Sequence, residues 1–272
     1  MSSVHRLIAL VSLAAMLSTS TLANERIFTY TYQSNVLSKG QREIEIWNTF
    51  HWQRENFYRK FLHRIEYEIG LGGNVQTAFY LNAQNVAAFR PGSPPSIEKE
   101  IELGFSNEWK FKLSDPSADA IGSALYFEIG ILADELELEG KIILDKQIGK
   151  STHALNIVAE PEWAQKIEGN GMKTEFEMGV EVVYGFSYEL SANWNLGLEM
   201  RNHSKYAKDH GWEYSTLFAG PALAYKTTGW WFAFTAMPQI YAFRVEPGNS
   251  NSHRELQAHE QLETRMIFSY EF

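Results

Sequence analysis

Residues Ile101 to Leu113 read I-E-L-G-F-S-N-E-W-K-F-K-L. Ile101, Leu103, Phe105, Asn107, Trp109, Phe111 and Leu113 fall on one parity, and Glu102, Gly104, Ser106, Glu108, Lys110 and Lys112 on the other. Successive side chains of a strand point to opposite faces, so the stretch predicts a ribbon with one greasy and one charged side. Globular strands are typically about 5–6 residues long. A tilted membrane-spanning strand needs about 9–11, and this run is long enough for one.

The pattern recurs over 43–52, 60–71, 75–85, 120–131, 136–148, 152–160, 172–186, 190–200, 214–225 and 230–241, and again in a tail that ends R-M-I-F-S-Y-E-F. With 99–113 this predicts twelve strands. Turn-rich links L-G-G-N, S-D-P-S-A-D, G-K-S and K-T-T-G separate alternate strands. The other connections, 53–59, 89–98, 161–171, 202–213 and 242–261, read as longer loops, with 133–135 short. No stretch after residue 23 approaches the roughly 20 apolar residues of a membrane helix. The predicted fold is therefore all-β: a closed, antiparallel, up-and-down transmembrane barrel of twelve strands. Short turns would lie on the periplasmic side and long loops outside. A soluble sandwich would have to hide nearly all of these apolar rows.

The chain opens M-S-S-V-H-R, followed by an apolar run from Leu7 to Leu17 and small residues up to Ala23. That is the layout of a cleaved secretory signal peptide over 1–23. Residues 24–40 then read as a periplasmic lead-in, and 41–272 as the barrel. Within the lead-in, T-Y-T-Y-Q-S-N-V-L-S-K-G (Thr29 to Gly40) is patterned, but it carries no activity signature. The chain has 24 basic and 33 acidic residues and no cysteine. This removes disulfides, thiolate chemistry and the basic face that a nucleic-acid partner requires.

The sequence resembles Gram-negative outer-membrane β-barrel proteins. Phe268, Tyr270 and Phe272 are similar to the C-terminal insertion signal of that class. The resemblance implies an outer-membrane location, contact with membrane lipid and lipopolysaccharide, and recognition of the tail by the barrel-assembly machinery. Aromatic girdles are expected from Phe272, Tyr270, Trp230, Tyr225 and Tyr184 at the periplasmic rim, and from Trp52, Phe61 and Trp212 at the outer one. Asn48 and Asn107 fall on the lipid face, so each needs a bulge or a polar neighbour. Pro221 and Pro238 fall inside strands and predict local bulges.

Twelve strands imply a backbone diameter of roughly 25 Å with about 10 Å left inside, enough for a narrow pore or a self-filled lumen. The inward parity carries an acidic cluster. Glu43, Glu45, Glu66, Glu68 and Glu271 fall near the periplasmic mouth, and Glu100, Glu102, Glu137, Glu139, Glu175 and Glu177 in the outer half. Inward bases are fewer: Arg64, Lys141, Lys173, Arg201 and Arg265, with Lys110 and Lys112. The expected function is a narrow channel for passive passage of small solutes, with cations favoured by the carboxylates. The alternatives are a lipid-modifying enzyme of the phospholipase or deacylase kind and a structural barrel without transport. The enzyme would draw on His63, Asn48 and the His203–Ser204 pair, but no catalytic motif joins these residues. No cofactor is expected. The loop spacings His203/His210 and His253/His259 are no ligand signature, so no metal site is expected either.

Overall fold

The structure is a computed structural model that describes residues 26–169, 171–208, 210–246, 248–249 and 253–272; the expected signal peptide lies outside them. Twelve strands follow one another: β1 (Arg42–Trp52), β2 (Tyr58–Gly72), β3 (Val75–Arg90), β4 (Ser96–Ser114), β5 (Gly122–Ile131) and β6 (Glu135–Ile148). The second half comprises β7 (Ser151–Glu168), β8 (Gly171–Glu189), β9 (Trp194–Ala207), β10 (Gly211–Lys226), β11 (Trp230–Arg244) and β12 (Leu262–Glu271). Each pairs antiparallel with its sequence neighbours, and β12 closes on β1. In that seam Ile46 faces Phe268 and Trp52 faces Leu262. The Phe272 amide donates to the Arg42 carbonyl at 3.0 Å. Closure leaves no edge strand, the condition for placing a sheet in hydrocarbon.

The parity read from the sequence is the parity of the walls. Ile44, Ile65, Leu81, Leu103, Leu125 and Phe268 point outward and are exposed, while Glu43, Glu45, Tyr80 and Trp231 point inward and are buried. At the end that carries Arg42 and Phe272, the periplasmic end in barrels of this class, rings stack in a row on the outer wall. Trp194 meets Tyr225 at 4.6 Å, Tyr225 meets Trp230 at 5.3 Å and Trp230 meets Phe268 at 5.8 Å. At the other end Phe50 packs on Trp52 at 5.5 Å.

The outward asparagines keep the register and find partners. Asn48 faces His63 across the β1–β2 ladder and shares a 2.9 Å hydrogen bond with its Nδ1. Asn107 donates to the Ala78 carbonyl at 2.9 Å and accepts from Trp109 Nε1 at 2.8 Å. The prolines share one disturbed seam. The β10–β11 ladder shifts between Ser215 and Thr216 and between Leu217 and Phe218, and its pairing resumes only at Ala222–Thr235. On their other sides Pro221 stays opposite Leu198 and Pro238 opposite Leu262.

Two expectations change. Most of the outer connections expected to be long are short hairpins on long strands. The β7–β8 ladder runs on through Glu162–Glu177 to Glu168–Gly171, β9 and β10 pair up to Ala207–Gly211, and of the long connections 245–261 stays outside the strands. Above the lipid both faces of a strand meet water, so period-two alternation fades and a paired hairpin reads as loop.

The second change concerns residues 24–40, expected as a periplasmic lead-in. Residues 26–37 lie inside the barrel. Phe28, Thr29, Thr31, Ser34 and Leu37 are buried, and the segment turns back to Gly40 at the periplasmic mouth, where the Gly40 amide bonds the Gly70 carbonyl at 2.8 Å. The alternating Thr and Tyr residues form an interior strap, not a tether below the membrane.

Candidate functional site in the lumen

The strap has no ladder partner, so its backbone needs acceptors from the wall. Glu199, on the inward parity of β9, is the main one. Its carboxylate accepts from the amides of Thr29, Tyr30 and Thr31 at 3.0, 2.9 and 2.7 Å, and from the hydroxyls of Thr29, Thr31 and Thr235 at 3.1, 2.9 and 2.5 Å. Asn156 behaves like a neighbouring strand: its Oδ1 accepts from the Tyr32 amide at 2.6 Å and its Nδ2 donates to the Tyr32 carbonyl at 2.9 Å. Asp145 takes the Ser34 amide at 3.2 Å and Gln76 takes the Leu37 amide at 2.9 Å.

The strap rings fill gaps in the wall. Phe28 lies over Gly185, where an added Cβ would come within 2.9 Å of its ring. Tyr30 packs with Val158, Val183, Phe218 and Met237, and Tyr32 with Trp47, Tyr126 and Ile143. Cations cover these rings. Arg265 stands 3.8 Å above Tyr30, and Arg26 and Lys141 each lie 3.9 Å from the ring of Tyr32. Such contacts are worth about 0.5–2 kcal/mol each, the more so when desolvated. The strap therefore plugs the periplasmic half of the lumen.

Below it lies the first predicted acidic group. Glu43, Glu45, Glu66 and Glu68 are all buried, with Glu43 opposite Glu68 and Glu45 opposite Glu66. Trp231 and Trp47 donate to Glu43 and Glu45 at 2.5 and 2.6 Å. Glu271 sits at the mouth opposite Glu43 and accepts from Gln41 at 3.2 Å.

Above the strap opens a vestibule of about 470 Å³ with Tyr30 and Tyr32 in its floor. Glu102, Glu135, Glu137, Glu139, Glu160, Glu162 and Glu181 line it, against Lys60, Arg64, Lys141, Arg201 and Arg265. Some charges are matched. Arg201 bridges Glu181 and Glu263 at 2.5 and 2.8 Å, Lys141 contacts Glu139, and Arg64 reaches Glu128 at 3.4 Å. The β6–β7 wall is not matched. Glu137 faces Glu162, Glu162 faces Glu177, and Glu135, Glu137, Glu160 and Glu162 have no base within ion-pair distance among the described residues.

Other expected lumen residues lie higher. Glu100 is exposed on the projecting part of β4. Glu175 pairs with Lys166 at 2.5 Å and Glu177 with Lys205 at 2.5 Å. Lys173 is a correction: it is exposed on the β7–β8 hairpin, 3.7 Å from Glu168, because the strand has left the lumen by that point. At the outer corner, Glu255 ties together described residues of the β11–β12 connection. Glu255 is buried; its carboxylate accepts from the amides of Glu246, Gln257 and Ala258, and its backbone exchanges hydrogen bonds with Gln239. The loop sends His259 and Glu260 inward. Burial alone would raise the Glu260 carboxyl, but His51 and His259 beside it outweigh that and hold it well below the usual range.

The residues weighed for lipid hydrolysis are not brought together. His63 and Asn48 bond each other on the outward face, and His203 and Ser204 point to opposite sides of β9. The key residue that holds the strap, Glu199 on β9, could have been found by parity, since it lies between outward Leu198 and Met200. Standing alone rather than in a Glu-x-Glu pair, it did not stand out.

The family model described as a family of unknown function, DUF6662, matches residues 20–272. None of the curated proteins matches. Among solved structures, the chain is similar to the COG4313 outer membrane channel from Pseudomonas putida F1, with a TM-score of 0.60 at 9% identity over 91% of this chain and 100% of that one. It is also similar to the beta domain of the Bordetella autotransporter BrkA, with a TM-score of 0.54 at 8% identity over 86% of this chain and 100% of that one. At these identities the likeness is one of fold, that of outer-membrane β-barrels.

Proposed function

The chain belongs to DUF6662, a family of unknown function, and we propose that it acts in the outer membrane as a narrow channel for small solutes, cations favoured, with its N-terminal strap as the plug. The observation that carries this reading is the water-accessible, acid-rich vestibule ending on a segment held by side chains alone. A barrel with a purely structural role could fill its interior with apolar side chains. This one keeps charge along its inner face, and the strap can leave without breaking a single pair of the sheet. The unmatched carboxylates of β6 and β7 raise the local cation concentration at the entrance.

Planar-bilayer recording of the refolded protein tests the proposal. Glu199→Ala leaves three strap amides without their acceptor, at about 1–3 kcal/mol for each orphaned group. The variant should open more often, or to a larger conductance, than the wild type. Deleting residues 26–38 should give a constantly open pore that favours potassium over chloride in a salt gradient. A strap-deleted barrel that folds and conducts nothing would sink the channel reading, and a chloride preference would sink the cation part.

A further inference from the structure

We propose a binding site for a divalent transition metal, with Zn²⁺ as the probe, where the loop 245–261 meets the barrel wall. Side chains from three parts of the chain converge there: His51 at the outer end of β1, Glu260 in the loop, and Glu263 at the start of β12. Their ligand atoms lie within 4.8 Å of one another, and both glutamates are buried. His51 Nδ1 contacts Glu260 and lies 3.9 Å from Glu263 Oε1.

His259 supplies the second, independent observation. It is 6% exposed, its Nδ1 lies 3.8 Å from Glu260 Oε1, and that nitrogen has no hydrogen-bond partner among the described residues. A buried imidazole nitrogen 3.8 Å from a carboxylate adds a donor next to this group. One imidazole and two carboxylates within reach of one point, with His259 beside Glu260, suit a borderline ion. Calcium and magnesium prefer all-oxygen shells.

The outer shell fits as well. Ligating histidines are commonly fixed through their other ring nitrogen. His259 Nε2 is 2.7 Å from His203 Nδ1, whose own Nε2 lies 4.0 Å from Glu181. Tyr214 meets the His259 ring edge-on at 4.8 Å. Arg201 spans both oxygens of Glu263 at 2.9 and 2.8 Å, and Arg54 stands 3.6 Å from Glu260. Together with Glu181 these charges sum to about minus one with neutral imidazoles, so an incoming dication is not opposed. The bound metal would clip the Glu260 end of the β11–β12 connection to β1 and β12. This inference does not rest on solute passage.

The test uses the full protein in detergent, stripped with a chelator and titrated with Zn²⁺ against a chromophoric competitor. One Zn²⁺ per chain is expected. Affinity should fall at least 100-fold in His51→Ala and Glu260→Gln, and about 10–100-fold in His203→Ala, which only orients a ligand. His153→Ala, on β7 away from the site, should bind normally. Zn²⁺ should also slow tryptic cleavage after Arg254. Absence of Zn²⁺ binding, or equal affinity in His51→Ala and Glu260→Gln, would overturn the proposal. If those variants fail to assemble, X-ray absorption of the wild-type complex decides: imidazole in the first shell supports the site and an all-oxygen shell refutes it.

Discussion

Glu199 holds more of the strap than any other wall residue, because six donors from two segments meet on one buried carboxylate. Gly185 does the opposite job by being absent: its missing side chain is the space that Phe28 occupies. Gly185→Leu should therefore expel Phe28 while leaving the β-sheet intact. The expected result is an unchanged circular dichroism spectrum with the N-terminal segment newly open to protease. Neither residue was legible as such in the sequence. A lone inward Glu looks like any lining residue, and a strand Gly announces only a close approach without naming its partner. What could be read was the T-Y-T-Y alternation. It marked the lead-in as patterned, but nothing local says that the segment lies inside the tube instead of beneath it.

At the level of elements, the strands were legible because lipid forces one face of each to be apolar, a constraint visible residue by residue. The hairpin ends above the membrane were not, since that constraint stops there. The β10–β11 seam shows how local chemistry shapes an element. Pro221 and Pro238 flank the gap in pairing, and at Gly220 an added Cβ would meet the Ala236 carbonyl at 1.8 Å. Gly220→Val has no room and should destabilise the barrel by about 1–3 kcal/mol or more, seen as a lower urea midpoint for unfolding in detergent. In the β4–β5 turn, the hydrogen bond from Lys112 and the amides of Ser117 and Ala118 hold the Asp115 carboxyl down to about 2. A depressed carboxyl stabilises the fold above its unfolded value and loses that contribution as pH falls through the folded one. The turn should thus weaken between about pH 4 and pH 2, and Asp115→Ala should flatten that part of an acid-unfolding curve.

For the molecule as a whole, the inner surface divides into two acid-bearing zones with the strap between them. The upper zone lines the open vestibule, whereas Glu43, Glu45, Glu66 and Glu68 are buried, so the upper charges should tune selectivity most. Replacing Glu135, Glu137, Glu160 and Glu162 by Gln in the strap-deleted barrel should shift the reversal potential toward zero preference. The same change at Glu43 and Glu45, which are tied to Trp231 and Trp47, should perturb assembly more than permeation. The seam between β1 and β12 carries a further consequence. Residue 40 leads directly into the first strand, yet the segment before it is tied to the wall by side chains and not by the ladder. Sealing the cylinder and filling it are thus separable events: the last ribbon can meet the first with the threonine–tyrosine segment either already within or still to enter.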